Sequence, residues 1–114
     1  PDRLADAIRR MGVDPNALLP RARVEEAARS ITAGDPAGAR QIVRRVAPAA
    51  VRSVSRRVLS DSDLRADAER YVRAFGQGLA ERARAGDGTA VHDRLGSDAG
   101  RTFMLLDAAV GDMG

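Results

Sequence analysis

The sequence predicts an all-α fold: a single compact bundle of about five to seven helices joined by short turns rich in Gly, Asp and Pro. Apolar residues recur at steps of three and four, which is the spacing of one face of an α-helix. Asp-Pro and Ala-Gly-Asp sequences lie between these segments, where they would cap the helices. No run alternates β-branched or aromatic residues with polar ones, so no strand is predicted.

Capping residues and helix breakers set the limits of the individual helices. The predicted elements are helices over residues 3–11, 21–32, 36–47, 61–84 and 98–110, a short turn through Leu18 and Leu19, and a short helix through Val91 and Leu95. Asp14-Pro15 and Asp35-Pro36 each place an N-cap acceptor before a proline in the first helical position. Gly34 ends the preceding helix because glycine adopts the left-handed cap conformation at little cost.

Pro48 divides the segment over residues 40–59. The branched apolar residues around it form two groups: Ile42, Val43 and Val46 before it, and Val51, Val54 and Val58 after it. In one straight helix the two groups would point roughly 110° apart. Because proline removes a backbone donor and clashes with the preceding turn, a kink or break at Pro48 would let both groups face one core.

The longest predicted helix, over residues 61–84, has the best-defined apolar face of the chain. Its members recur at steps of three and four: Leu64, Ala68, Tyr71, Val72, Phe75 and Leu79. The sequence Ser-Asp-Ser-Asp at residues 60–63 resembles a capping box. Gly76 and Gly78 lie inside the helix, where each costs about 1 kcal/mol relative to alanine. We interpret them as a close approach by a neighbouring backbone, with a hinge as the alternative.

The last predicted helix, over residues 98–110, is apolar around most of its circumference. A helix of that kind usually lies at the centre of a core. The alternative is that one side of it docks a partner protein or a second copy of the chain. The residues expected to do so are Phe103, Leu105, Leu106 and Val110.

The charges are distributed unevenly along the chain. Residues 1–39 carry no net charge, residues 40–60 carry +6, and residues 61–114 carry −3. All 19 basic residues are arginine, which is the usual consequence of a GC-rich genome of bacterial type. A functional reason would be that arginine makes bidentate contacts with phosphate or carboxylate, which lysine does not. The acidic residues over 61–69 could also neutralise the basic part within the molecule.

The arginine-rich segment, residues 40–57, makes nucleic-acid binding the alternative function. Its candidate residues are Arg40, Arg44, Arg45, Arg52, Arg56 and Arg57. Such a cluster would neutralise phosphates, and the hydroxyls of Ser53 and Ser55 would add hydrogen bonds. On a helical wheel, however, most of these arginines lie opposite the valines, as on any solvated face. The segment has no aromatic residue to stack on a base, and no window over residues 24–84 fits a helix-turn-helix.

No set of residues typical of a catalytic or metal site is found. The chain has one histidine, His92, and no cysteine, whereas acid–base catalysis needs a titratable group held by a partner. His92 and Asp93 are adjacent, and adjacent residues on a helix point in different directions. The clustered acids over residues 61–69 lack the glycine turn and final glutamate of a calcium loop. We therefore expect no enzymatic activity, no metal and no cofactor.

The sequence Ala-Gly-Asp occurs twice, at residues 33–35 and 85–87. The first, with Ala39 after it, is similar to the turn inside a tetratricopeptide hairpin. The spacing of 52 residues does not match that repeat. We interpret both as turns between helices, and no family is identified.

With a length of 114 residues, these patterns predict one helical domain over residues 1–114, consistent with excision from a longer chain. We expect a non-catalytic protein-interaction domain with an adaptor, regulatory or self-association role. We expect it in the cytoplasm, without a membrane span. Nucleic-acid binding is the alternative, and a small-molecule or lipid site between helices is a third hypothesis.

Overall fold

The computed structural model describes residues 2–111, and this part of the chain contains eight α-helices and no strand. In chain order they are α1 (Asp2–Arg10), α2 (Pro15–Leu18), α3 (Arg21–Thr32), α4 (Pro36–Val46), α5 (Pro48–Leu59), α6 (Ser62–Arg84), α7 (Gly88–Gly96) and α8 (Asp98–Val110). The all-α prediction is confirmed. The helix count is slightly above the predicted range because the predicted short turn through Leu18 and Leu19 includes a regular helix, α2, whereas α7 was predicted as a short helix.

Side-chain caps begin five of these helices. Each capping side chain accepts a hydrogen bond from a backbone N–H in the first turn, and the capping residues are Asp14, Asp35, Asp61, Asp87 and Ser97. At α6 the cap is Asp61 rather than Ser60. Its carboxylate accepts from the N–H groups of Asp63 and Leu64 at 3.1 Å each. The bond from Leu64 is the largest cause of a lowered pKa at Asp61, since it favours the charged form.

The chain breaks at Pro48 and does not merely kink. Helix α4 ends at Val46 and α5 begins at Pro48, which leaves Ala47 between them. Ala47 has φ −137° and ψ 52°, outside the helical region, and donates its N–H to the carbonyl of Val43 at 2.9 Å. Pro48 occupies the first position of α5, where no intrahelical partner exists for an N–H.

The break brings the valines on both sides of it to one interior. Those with at most 1% of their surface exposed are Val43, Val54 and Val58. Val46 and Val51, nearest the break, are half-buried against the same cluster. Both groups therefore face one core, as predicted, although the two valines beside the break are covered incompletely.

Helix α8 lies at the centre of the molecule and packs against α2, α4, α5, α6 and α7. Helix α3 packs on α4, α6 and α7, and α1 packs on α6. The radius of gyration is 12.9 Å, close to the value of about 13 Å expected for a compact chain of this length. None of the eight described helices combines the length and the hydropathy that crossing a membrane requires.

Candidate functional site, an arginine-rimmed groove

Two of the six arginines in the arginine-rich segment hold the end of helix α8. Arg44 donates from Nε and Nη2 to the carbonyl of Ala108, at 3.1 and 2.9 Å. Arg40 lies 3.5 Å from the carboxylate of Asp107, with 20% and 11% of the two side chains exposed. The last turn of α8 has no basic residue of its own. Arginines of α4 therefore supply the positive charge that the negative end of its dipole favours.

Ser55 on α5 adds to this contact by donating its hydroxyl to the carbonyl of Ala109 at 3.0 Å. We call Arg40, Arg44 and Ser55 the α8 clamp. The last carbonyls of a helix have no partner within it, and here side chains of two neighbouring helices bind them. Two candidate nucleic-acid contacts are thus engaged inside the fold.

The other four arginines of the segment lie on the surface: Arg45, Arg52, Arg56 and Arg57. Arg45 lies 3.5 Å from Glu26, and Arg57 lies 3.4 Å from Asp61. The remaining two have no carboxylate within 4 Å in the described residues. Of the acidic residues over 61–69 in this part of the chain, Asp61 is the one that pairs with the segment.

The four residues expected to dock a partner lie in the core. Phe103, Leu105, Leu106 and Val110 have exposed fractions of 5%, 0%, 1% and 5%. The helices around α8 cover Leu105, Leu106 and Val110, whereas Phe103 also lines a groove that runs along α6. The apolar circumference of α8 reflects its central position, and of the four candidate residues Phe103 is the one that lines a groove in the described part of the chain.

An open groove of about 540 Å³ runs along helix α6. We call it the α6 groove. One row of α6 that lines it consists of Val72, Gly76, Leu79 and Ala83, and the row beside it consists of Arg73, Gln77, Ala80 and Arg84. Helix α8 contributes Phe103 and Asp107, the end of α3 contributes Ile31, and the start of α4 contributes Pro36. The volume lies within the range of about 300–1,000 Å³ that is typical of small-molecule sites, so volume alone does not identify the occupant.

The α6 groove exists because the fold leaves part of the apolar face of α6 uncovered. The buried members of that face are Leu64, Ala68 and Leu79. Val72, Phe75 and Ala83 are only half-buried against the core. The apolar stripe that the sequence predicts is therefore longer than the neighbouring helices can cover.

The two glycines inside α6 face side chains, so the predicted contact with a neighbouring backbone is wrong. A Cβ atom added at Gly76 would lie 3.8 Å from the ring of Phe103. One added at Gly78 would lie 3.6 Å from the guanidinium of Arg94. Both are ordinary van der Waals distances, so alanine would fit at either position. Gly76 lines the α6 groove, where its missing side chain leaves room for a bound molecule.

The three aromatic residues of the chain form one cluster beside the groove. The ring centroids of Phe75 and Phe103 are 4.8 Å apart, and those of Tyr71 and Phe75 are 5.8 Å apart. The guanidinium of Arg94 lies 5.1 Å from the centroid of the Phe75 ring. The hydroxyl of Tyr71 donates to the carbonyl of Ala99 at 2.7 Å. Burial raises the pKa of Tyr71, and the charge of Arg94 opposes that shift.

The charged residues that line the α6 groove are three arginines and one aspartate, Asp107. Asp107 is opposite Arg40, as described above. Arg73 and Arg84 are exposed, and within residues 2–111 neither has a carboxylate within 4 Å. The lining therefore carries an excess of two positive charges, which lie at the two ends of the α6 row.

His92 lies outside this groove, between α3 and α7, with 35% of its side chain exposed. Its Nε2 atom is 4.0 Å from Glu25, and its Nδ1 atom is 3.7 Å from Asp93. Both distances exceed those of a hydrogen bond. In the part of the chain that the structure describes, no group of three or more His, Cys, Asp or Glu residues could hold a metal ion.

The sequence alone did not single out Arg73 or Arg84, and it singled out Gly76 only as a glycine inside a helix. Two signals pointed to this region: an apolar stripe longer than one helix–helix contact, and a helix-interior glycine whose cost of about 1 kcal/mol nothing local offsets. Both signals also fit an ordinary core helix. Only the packing shows which part of the stripe stays uncovered.

Comparison with protein-family models, with curated proteins and with solved structures finds no match for this chain. Its function is therefore inferred from its own geometry.

Proposed function

We propose that this chain is a non-catalytic protein-interaction domain and that the α6 groove receives an amphipathic helix of a partner protein. The observation that carries this proposal is an apolar groove, rimmed by arginines, along a face of α6 that the other helices leave uncovered. Exposed apolar surfaces with a polar rim are typical of interaction sites. Docking of a helix in such a groove is a recurring mode of protein recognition.

The length and the small residues of the α6 rows favour a helix as the occupant. From residue 72 to residue 84 the helix rises about 18 Å, which matches about three turns of a helix lying beside it. Gly76, Ala80 and Ala83 project little from this surface, so another helix can approach closely. Addition of a strand would need an exposed sheet edge, and residues 2–111 contain no strand.

The polar groups of the groove support binding rather than catalysis. Its one carboxylate, Asp107, is opposite Arg40, and its lining contains no histidine. General acid–base catalysis needs a group that titrates near the working pH, whereas arginine stays protonated. A small-molecule site would need several polar groups converging inside the cavity, and here Arg73 and Arg84 lie on the rim.

Substitution of Gly76 tests this proposal. Gly76→Leu places a branched side chain where a partner helix would approach, and Gly76→Ala adds a methyl group that the structure accommodates. We expect the unmodified chain and Gly76→Ala to capture a protein of the native host, and we expect Gly76→Leu not to capture it. NMR shifts on binding should change at residues 72–84. Far-UV circular dichroism establishes that both variants are folded.

A partner captured equally well by Gly76→Leu would contradict the proposal. So would NMR shifts that change on a different face of the molecule while residues 72–84 stay unaffected. In either case the groove would not be the docking surface.

Nucleic-acid binding remains a second candidate because Arg52 and Arg56 are exposed, one turn apart, and without a carboxylate partner in the described residues. It predicts that duplex or single-stranded probes are retarded at low salt and released as salt rises. The double variant Arg52→Glu with Arg56→Glu should abolish that retardation. No retardation of either probe at low salt would end this hypothesis.

A further inference from the structure

We infer that the partner helix carries two acidic side chains eleven residues apart, at the two ends of an apolar stripe about three turns long. This inference rests on the proposed function. The observation that carries it is the charge pattern of one α6 row, Arg73, Gln77, Ala80 and Arg84. The row places one cation at each end of the groove and uncharged side chains between them.

The spacing of the two arginines sets the spacing of the acids. Residues 73 and 84 are eleven apart, which corresponds to a rise of about 16 Å and very nearly three full turns. Two residues eleven apart on any α-helix have the same rise and almost the same direction. A helix that crosses α6 at about 20°, a common packing angle, would bring both acids opposite both guanidinium groups.

The two guanidinium groups need counter-charges once the groove is covered. A docked helix removes water from the rim, and a cation that loses water without gaining a partner opposes binding. Arg40 does not need a counter-charge from the partner because the carboxylate of Asp107 already lies 3.5 Å away. Acidic side chains on the partner would therefore favour binding at Arg73 and Arg84, and basic ones would repel it.

The charges select the partner, while burial of the apolar stripe supplies most of the affinity. Ion pairs at an exposed rim contribute little individually. Two pairs together correspond to a difference in Kd of roughly ten-fold between matched and mismatched helices at low salt. Salt near 1 M reduces the Debye length to about 3 Å and should remove most of this difference.

Three synthetic helical peptides of about fifteen residues provide the test. They share one apolar stripe and differ only at two positions eleven residues apart, which hold two Glu, two Gln or two Lys. Their Kd values are measured by fluorescence anisotropy with the unmodified chain and with the double variant Arg73→Glu with Arg84→Glu. The matched control is Arg52→Glu with Arg56→Glu, because each double variant changes the net charge from +3 to −1.

We expect the Glu peptide to bind the unmodified chain roughly ten-fold more tightly than the Lys peptide. The preference should reverse with the double variant at residues 73 and 84, and it should persist with the control double variant. The inference would be overturned if the double variant at residues 73 and 84 still preferred the Glu peptide, or if the control double variant reversed its preference equally.

Gly76→Leu separates failure of the inference from failure of the proposed function. If it abolishes binding but the three peptides bind alike, the groove docks a helix and only the charge pattern is wrong. If it leaves the binding of all three peptides unchanged, or if no peptide binds, both proposals are overturned. A concentration-dependent dimer that Gly76→Leu abolishes would identify a second copy of this chain as the occupant, and would also overturn the inference.

Discussion

Replacing Arg44 with methionine tests whether the arginine-rich segment stabilises the fold. Methionine keeps an unbranched apolar chain but removes both donors to the carbonyl of Ala108. Ala108 is 2% exposed, so water would replace those donors incompletely. A hydrogen bond from a charged group contributes about 1.5–3 kcal/mol, and a cation at a helix C-terminus contributes about 0.3–1 kcal/mol. We expect the free energy of unfolding to fall by about 2–3 kcal/mol.

The adjacent substitution Arg45→Met is the matched control. Arg45 lies on the same helix, but 64% of its side chain is exposed and its partner is Glu26 at 3.5 Å. Exposed ion pairs contribute about 0–1 kcal/mol, so this variant should lose less than about 1 kcal/mol. Arg44→Lys should lower the free energy of unfolding by an intermediate amount, because lysine keeps the charge but lacks the planar guanidinium that donates two hydrogen bonds to one acceptor.

Urea unfolding followed by far-UV circular dichroism measures all three variants. A loss of about 2–3 kcal/mol at Arg44 should also lower the Tm by about 8–12 °C in a chain of this size. Equal losses for Arg44→Met and Arg45→Met would refute the reasoning. That result would mean that water satisfies the Ala108 carbonyl and that the α8 clamp contributes no more than an exposed ion pair.

Leu105→Ala should lower the free energy of unfolding by about 2–5 kcal/mol because Leu105 is fully buried. Leu59→Ala, at a residue 56% exposed, should change the free energy of unfolding by no more than about 0.5 kcal/mol. Similar losses for Leu105→Ala and Leu59→Ala in urea unfolding would contradict the central position of α8. Burial raises the pKa of Tyr71 above its ordinary value of 10.0, so the folded state holds the phenol proton more tightly than the unfolded state. That contribution to stability is complete below pH 10 and is lost as the pH rises through the folded pKa. Tyr71→Phe should therefore flatten the alkaline decline of the Tm, and an unchanged decline would contradict this. The one tyrosine in a chain without tryptophan also makes its titration visible by ultraviolet absorbance. Gly34→Ala, at φ +80°, should lower the free energy of unfolding by about 1–2 kcal/mol. Gly76→Ala should raise it by up to about 1 kcal/mol. If thermal unfolding shows that the two variants are both stabilised or both destabilised, the left-handed conformation of Gly34 or the helical one of Gly76 is contradicted.

Most helix limits could be predicted within one residue because capping interactions are local. The carboxylate of Asp35 reaches the N–H of Gly38, three residues on, so the signal for the start of α4 lies within the sequence at that point. The cap of α6 was displaced by one residue because Ser60 and Asp61 are both good N-caps. At Pro48 the sequence predicted a kink or a break. The choice between them depends on packing against α8, which no local pattern encodes.

The roles of Arg40 and Arg44 could not be predicted from the helical wheel. A wheel gives directions relative to the valines of the same helix, whereas these two side chains reach the end of α8, more than sixty residues away in sequence. The apolar face of α6 shows the same limit. Its residues were recognised, but which of them the fold leaves uncovered depends on how many helices surround α6 and where each one ends.

The positive charge of the arginine-rich segment is used largely within the fold, so its total of +6 does not by itself indicate a polyanion partner. Arg40 and Arg44 belong to the α8 clamp, and two others pair with acids. The exposed arginines that remain are few for binding a nucleic acid. A protein that makes two to four phosphate contacts has a slope of log K against log salt concentration of only about −2 to −4. A groove that buries apolar surface needs few charges, because they select the partner and do not supply the affinity. The two arginines of the segment without a carboxylate partner in the described residues, Arg52 and Arg56, therefore give the nucleic-acid proposal less support than the total of +6 suggests.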